Sequence, residues 1–448
     1  MASAARHDAL LDLRRSAPSD LPQRWEGGRA GASCDPSAAA TRLKAVVELY
    51  AVFKEIASEA LGGRKCHSHF EQWLWACRVD LIVSGAICAP VLTAVPPAAA
   101  QAELARKLER AGVEPAKARD SCARLAAACA RDEWLADTRE KGVVTLETVP
   151  PTARSRHSPL VRLVCDGVAV ECSEAHLEKL RALHAAASAA GGARKRKRAK
   201  HGGAPAAASG GASFEARAFC VLARIHALQG GEARAGGMQA ACGAAAFDAL
   251  RADFGVTMEL FASPLNARYG TFCSAGADVD GAFGSVGSFF TLSFVRGAYL
   301  AHPPFIPALV EAMAARIDSQ LRAADAGGEA LTFVVVVPHW KPTGRTGSSP
   351  PGSRPRSNEE LHPYWSPHWP ERRAWQALRD VSGFHKVVEL PQEAHGFFEG
   401  SQQTSDTLWR ASKHPTSVFF LMSERAAAAC PVTVPREKRL REAFGRPV

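Results

Sequence analysis

Tyr299-Leu300-Ala301-His302-Pro303-Pro304-Phe305-Ile306-Pro307 is the stretch on which the reading of this chain turns. Tyr299 to Ala301 make a short strand, Pro307 to about Leu321 an amphipathic helix, and His302 to Phe305 the turn between them. An enzyme that methylates an exocyclic amine needs one acceptor for each amino proton, so that the nitrogen lone pair faces the methyl donor. It also needs a flat apolar surface to grip the base. A polar residue, two prolines and an aromatic supply these parts. His302 and the Pro303 carbonyl accept the two protons, the prolines stiffen the turn, and Phe305 stacks on the base. The alternative for the tetrapeptide alone is an ordinary rigid turn after a strand.

Outward from the turn, Leu331 to Val337 is a near-continuous apolar run, the mark of a strand buried on both faces. Glu371 to about Val381 reads as a helix, and His385–Leu390 and Ser417–Met422 as two last strands. This succession runs like the second half of a doubly wound methyltransferase. A donor site then belongs at the carboxyl ends of the strands, before the tetrapeptide. Two stretches qualify: Glu259 to Asn266, with Ser263, Pro264 and Asn266, and Cys273 to Phe290, with Asp278, Asp280, Gly284 and Gly287. Glycines let the backbone approach a bulky cofactor, and a carboxylate can hold ribose hydroxyls or an amine. A plain Gly/Ser-rich loop stays open for the second stretch, as does the strand order upstream of the turn.

A chain of 448 residues holds two or three domains, and 47% hydrophobic with 22% charged residues fits a globular protein. No stretch approaches the roughly 20 apolar residues that span a bilayer, and the N-terminus has no apolar signal core, so no membrane association is expected. Twelve cysteines without a C-x-x-C pair argue against a zinc site or a disulfide framework and for a reducing compartment; no metal is expected. The net charge of +10 and a pI near 9.1 suit a polyanionic partner, although an Arg- and Ala-rich composition produces the same balance.

Residues 1–40 read as a disordered tail and 41–186 as a mostly helical domain. Its first helix, from Thr41, puts Leu43, Val46, Val47, Tyr50 and Phe53 on one face, and His69 to Gly85 reads as a buried helix. Further helices run from Gln101 to Ala111 and from Pro115 to about Thr138. Asp166-Gly167, between Leu160–Val164 and Val168–Cys172, marks a hairpin. Residues 187–212 form a Gly/Ala linker carrying the basic run Arg194 to Arg198, read as a nuclear-import signal in preference to a nucleic-acid arm. Residues 213–430 form the α/β domain and 431–448 a C-terminal tail. The loop 341–360 can serve as a lid or be a passive insertion.

ELFASPLN (Glu259–Asn266), FCSAGADVDGAFGSVGSFF (Phe272–Phe290), HPPF, VVVVPHW ending at Trp340, AHGFFEGSQ (Ala394–Gln402) and KHPTSVFF (Lys413–Phe420) follow one another in order. Together they resemble the phosphorylated-CTD-interacting-factor family, the cap-specific adenosine N6-methyltransferases; the likeness covers about residues 160–425. It implies an α/β fold in which a mostly helical domain precedes a Rossmann-like methyltransferase domain that uses S-adenosyl-L-methionine. The implied reaction is N6-methylation of the 2′-O-methyladenosine beside the 7-methylguanosine cap of mRNA, in the nucleus. The resemblance makes His302, Pro303, Pro304 and Phe305 the catalytic turn, sets Ile306 beside the donor, and puts Trp340 in the cap pocket, where indole stacks on a cationic methylated guanine. Arg78 and Arg217 are candidates for the cap phosphates.

This chain departs from the family at two positions of the turn. His302 stands where the family has Asn; a neutral imidazole can accept an amino proton and a protonated one cannot. Pro307 stands where the family has an acidic residue, which removes or moves a substrate contact. Residues 1–60 hold Trp25 as their single tryptophan, so no WW module is expected and RNA polymerase II C-terminal-domain binding is not assumed. A cap- or RNA-binding relative without catalysis, and an adenine N6-methyltransferase on DNA or internal RNA sites, are the other readings.

Overall fold

The computed structural model describes residues 34–61, 63–85, 92, 94–130, 142–149, 160–200, 212–231, 238–340, 370–399 and 409–445. The chain opens with α1 (Pro36–Leu61), not at Thr41: Asp35 caps it, its Oδ1 accepting from Ala38 N at 2.8 Å, and Pro36 takes the first turn, where a missing N–H costs nothing. Residues 36–40 therefore leave the expected tail, and Ala38 and Ala40 are buried. Leu43, Val46, Leu49, Tyr50 and Phe53 form the inner stripe, with Val47 largely exposed beside it.

The buried helix expected over His69–Gly85 is two: α2 (Gly63–Cys77) and α3 (Val79–Ser84), broken at Arg78, with Gly85 ending α3 at φ 70°. Next come α4 (Ala98–Arg110) and α5 (Pro115–Ala128), the latter capped by Glu114. A three-stranded antiparallel sheet follows, in the order β1 (Thr145–Val149), β2 (Leu160–Cys165), β3 (Val168–Ser173). Asp166 and Gly167 both adopt positive φ in the β2–β3 turn, which lets two residues close the hairpin with the twist of its strands.

The helix α6 (Glu174–Lys200) does not stop near 186. It runs through most of the expected linker and contains the basic run, because the alanines there favour helix over coil. Residues 201–211 lie outside the described residues. Then α7 (Phe214–Leu228) is buried on every side from Ala218 to Leu228 and packs against α1, β2 and β3, the central rod of the helical half.

Next are β4 (Ala240–Ala241), α8 (Ala244–Phe254), β5 (Val256–Glu259), α9 (Ala277–Asp280), β6 (Gly297–Ala301), α10 (Pro307–Ala326), β7 (Leu331–Pro338), α11 (Pro370–Arg379), β8 (Phe384–Leu390), β9 (Gly396–Glu399), β10 (Trp409–Ala411) and β11 (Thr416–Met422). The main sheet has the order β5-β6-β7-β11-β8, with β5, β6 and β7 parallel and β11 antiparallel to both its neighbours. Phe333, Val335 and Val337 face α10 and α11, while Val334 and Val336 face α8. Both faces are covered, which is why β7 is apolar at every step. The expected tail folds too over its described residues, 431–445: after α12 (Glu424–Ala429), α13 (Val434–Ala443) buries Leu440, and Phe444 after it, against the α8 side.

Two isolated parallel bridges, Glu259 to Phe272 and Phe272 to Ser285, continue the sheet beyond β5. They are bonded through Cys273 N to Glu259 O at 2.8 Å and Val286 N to Phe272 O at 2.9 Å. The chain thus steps outward from β5 through 272 to 285, then crosses back to β6 on the other side of β5. The upstream strands that the sequence left open are compressed to single residues. The strand order reverses between β5 and β6, and a crevice opens there at their carboxyl ends.

Candidate active site

His302 to Phe305 leave the carboxyl end of β6 at this crevice. Ile306 N donates to Pro304 O at 2.7 Å, and Pro307 starts α10, so the turn is held at both ends. The crevice is lined by His302 and Pro304 from the turn, Phe261, Ala262 and Asn266 from the loop after β5, and Ala275 from the loop after the Phe272 bridge. Gln239 closes one side, and Trp75 and Ile82 reach in from the helical half. The crevice therefore sits at the seam of the two halves.

His302 lines this crevice. It stacks on Phe397 of β9 (centroids 5.2 Å apart, 29° between planes) and lies tilted against Phe305 at 5.5 Å. The residue keeps some exposure, yet its surroundings strip the ring of water, which pushes its pKa down to about 4. At neutral pH it is uncharged and can accept a hydrogen bond. Phe305 is half-buried and meets Trp340 edge-on at 6.4 Å; Trp340 itself is buried in the core under α10 and α11. The expected lid, 341–360, lies outside the described residues.

The Ser263–Asn266 turn forms the opposite wall. Asn266 Oδ1 accepts from Ser263 N at 2.7 Å, Asn266 Nδ2 donates to Gln239 O at 3.2 Å, and Ser263 Oγ lies 2.8 Å from Gln239 Oε1. Pro264 is buried within the same turn. Behind it, Lys179 of α6 donates to the Leu265 carbonyl at 2.8 Å, and burial pushes its pKa down to about 7. Glu259, buried at the end of β5, accepts from Arg268 N at 2.7 Å and Tyr269 N at 3.2 Å; burial pushes it up to about 7.

Several expected site residues are committed elsewhere. Asp278 forms a buried ion pair with Arg224, and Asp280 beside it is pushed up to about 7, first by burial. Arg78, a candidate for cap phosphates, is buried in the same cluster, and burial lowers its pKa to about 9; Arg224, Asp278 and Asp280 are its charged neighbours. A guanidinium enclosed there does not present itself to a surface phosphate. Arg217 is half-buried at the start of α7 and donates Nε to the Ala212 carbonyl at 3.3 Å. Gly284, at φ 110°, packs its α-carbon on the Gly270 carbonyl, and Gly287, at φ 122°, accepts from Ser274 N at 3.0 Å to extend the bridged edge. Ile306 is buried in the core shared with the helical half. Gln239, Trp75 and Phe397 escaped the sequence reading as site residues: the first two line the crevice and Phe397 packs on His302, each from a distant segment, and none carries a local signal.

The family described as phosphorylated CTD interacting factor 1 WW domain matches residues 204–349. Among the described residues, that stretch holds α7, α8, β4 to β7, α10 and the His302 turn. The human mRNA (2′-O-methyladenosine-N(6)-)-methyltransferase is 29% identical over 234 residues, 52% of this chain and 29% of that protein. The mouse protein of the same name is 36% identical over 129 residues, 29% of this chain and 18% of that protein. The chain thus matches under a third of the length of these curated relatives.

Proposed function

We propose, from its similarity to the phosphorylated CTD interacting factor family, that this chain N6-methylates the 2′-O-methyladenosine beside the 7-methylguanosine cap of mRNA. It would use S-adenosyl-L-methionine on a Rossmann-like sheet preceded by a helical domain. The observation that carries this reading is the uncharged His302 among the residues lining a crevice at the strand-order reversal.

The crevice fits such a donor: its wall mixes apolar side chains with the Gln239 and Asn266 amides at the carboxyl ends of β5, the Phe272 bridge and β6. Gln239, Asn266 and Ala275 are the residues that would hold it, with Ser263 bracing Gln239 from behind. Bound there, S-adenosyl-L-methionine supplies an electrophilic sulfonium methyl. Phe305 offers the half-buried ring on which an unstacked adenine rests. His302 and the Pro303 carbonyl take the two amino protons as hydrogen bonds, which fixes the amine and turns its lone pair toward the crevice. With a pKa near 4, His302 serves as an acceptor and not as a proton-abstracting base. The chain's contribution is positioning and exclusion of water. The family resemblance gives Trp340 to the cap, although its ring is buried in the core, and the basic run on α6 is assigned to nuclear import.

The test is transfer of labelled methyl from S-adenosyl-L-methionine to RNA beginning with 2′-O-methyladenosine, capped or uncapped. Cap-dependent label supports the proposal. Cap-independent label points to an internal-site or DNA enzyme, and RNA binding without label to a non-catalytic binder. A fluorescent fusion excluded from the nucleus would overturn the localisation.

A further inference from the structure

We propose that Phe397 is a positioning residue for His302, its ring holding the imidazole plane in the orientation that presents a nitrogen to the target amine. The inference deepens the methyltransferase reading and rests on it.

Among the described residues, neither ring nitrogen of His302 has a hydrogen-bond partner, so no bond sets its torsion. The last torsion of a histidine is a broad, roughly two-fold rotor, and only packing can fix it here. Two rings touch it. Phe305 lies oblique, at 54°, whereas Phe397 lies nearly parallel, at 29° with centroids 5.2 Å apart. The second contact resists rotation of the plane.

Phe397 is itself anchored. Its strand β9 is paired on both sides, by β4 and β10. The ring meets His395 edge-on (5.6 Å, 89°) and Phe444 edge-on (6.4 Å, 76°). His395 is pinned through both nitrogens, to the Pro391 carbonyl and Thr416 Oγ1, each at 2.8 Å. A rigid chain of rings thus leads from the main sheet to His302.

The stack also covers one face of the imidazole against water, which favours the uncharged, accepting form. The titratable groups around it are Glu259 at the end of β5, Cys242 before α8, and His395 across Phe397. Loss of water is what lowers the His302 pKa. A carboxamide at 302 would need its plane held as well but carries no titrating proton, so only the exclusion of water is tied to this chain's own histidine.

The test compares the full chain with Phe397→Leu, which keeps apolar bulk but loses the flat face, and Phe397→Tyr, which keeps the ring. The His302 imidazole resonances, assigned by their loss in His302→Asn, are titrated by NMR, and methyl transfer is followed from pH 5 to 8. The expected result is a wild-type ring that stays uncharged down to about pH 4 and a Leu variant whose midpoint rises by more than one pH unit. The Leu variant also loses roughly twofold or more in kcat at pH 5 relative to pH 8, where the wild type is nearly flat, with donor KM unchanged, while Tyr behaves as wild type. Equal midpoints and pH profiles in Leu and wild type overturn the proposal. So does a wild-type ring titrating near the ordinary 6.5, which needs no variant. If Phe397→Leu fails to fold, Phe397→Met carries the same comparison. Absence of methyl transfer by the wild type sinks the enzymatic reading alone, since the titration is read without activity.

Discussion

Arg224 and Asp278 close a two-pronged ion pair, Nη2 to Oδ2 at 2.7 Å and Nη1 to Oδ1 at 3.2 Å, inside the seam where α7 meets α9. Both side chains are nearly out of water, and Arg78 and Asp280 stand beside them, so two positive and two negative groups share one enclosed volume. Such a cluster joins the halves of the molecule through charge balance more than through net attraction, because desolvation offsets much of the Coulomb gain.

Asp278→Asn leaves two buried guanidiniums facing one carboxylate. The expected loss is about 3–5 kcal/mol of unfolding free energy, read from denaturant titration, with donor affinity of the folded fraction unchanged. A variant of wild-type stability that no longer binds S-adenosyl-L-methionine would return Asp278 to the donor site.

His302→Ala removes an acceptor and should lower kcat by about 10²-fold, the order found for losing one preorganised hydrogen-bond partner. His302→Asn restores an acceptor oxygen and should retain most activity with capped RNA. An Ala variant as active as wild type would end the role assigned to this ring.

His302 also links stability to pH. Its folded pKa, about 4, lies below the ordinary 6.5. Between these values the unfolded chain binds a proton that the folded chain does not, so the ring's contribution to stability falls as pH drops from 6.5 to 4. Glu259 and Asp280, both raised to about 7, act in the opposite sense, since their folded forms hold protons longer. The clean observable is a difference. The Tm of His302→Asn minus that of wild type should grow as pH falls through this window and stay flat above pH 7.

Gly284→Ala places a methyl against the Gly270 carbonyl at a φ of 110°, which non-glycine residues rarely adopt. A loss of about 2 kcal/mol or more is expected, seen as a lower Tm and a loosened 272–285 edge in hydrogen exchange. Unchanged stability with weakened donor binding would mean that the glycine serves the ligand instead of the turn.

Much of this architecture is legible in local patterns. The unbroken apolar run of β7, the Asp166-Gly167 hairpin and the Pro-Pro turn ahead of α10 each follow from steric preferences within a few residues, and all three stand where the sequence puts them. The start of α1 was missed, the reading beginning it at Thr41, although Asp35-Pro36 is a cap and first-turn signal ahead of the apolar periodicity.

Other features depend on which segments become neighbours. Phe272 and Ser285 extend the sheet as single-residue bridges, too short for any periodicity to announce. Asp278 reads as a ligand-binding carboxylate in a glycine-rich loop until α7 delivers Arg224 to it. Nothing near His302 names Phe397, because strand pairing far along the chain sets that contact. A chain's patterns encode the conformational cost of each short segment, whereas strand neighbours, buried charge partners and ring stacks are settled by excluding water from the whole assembled interior.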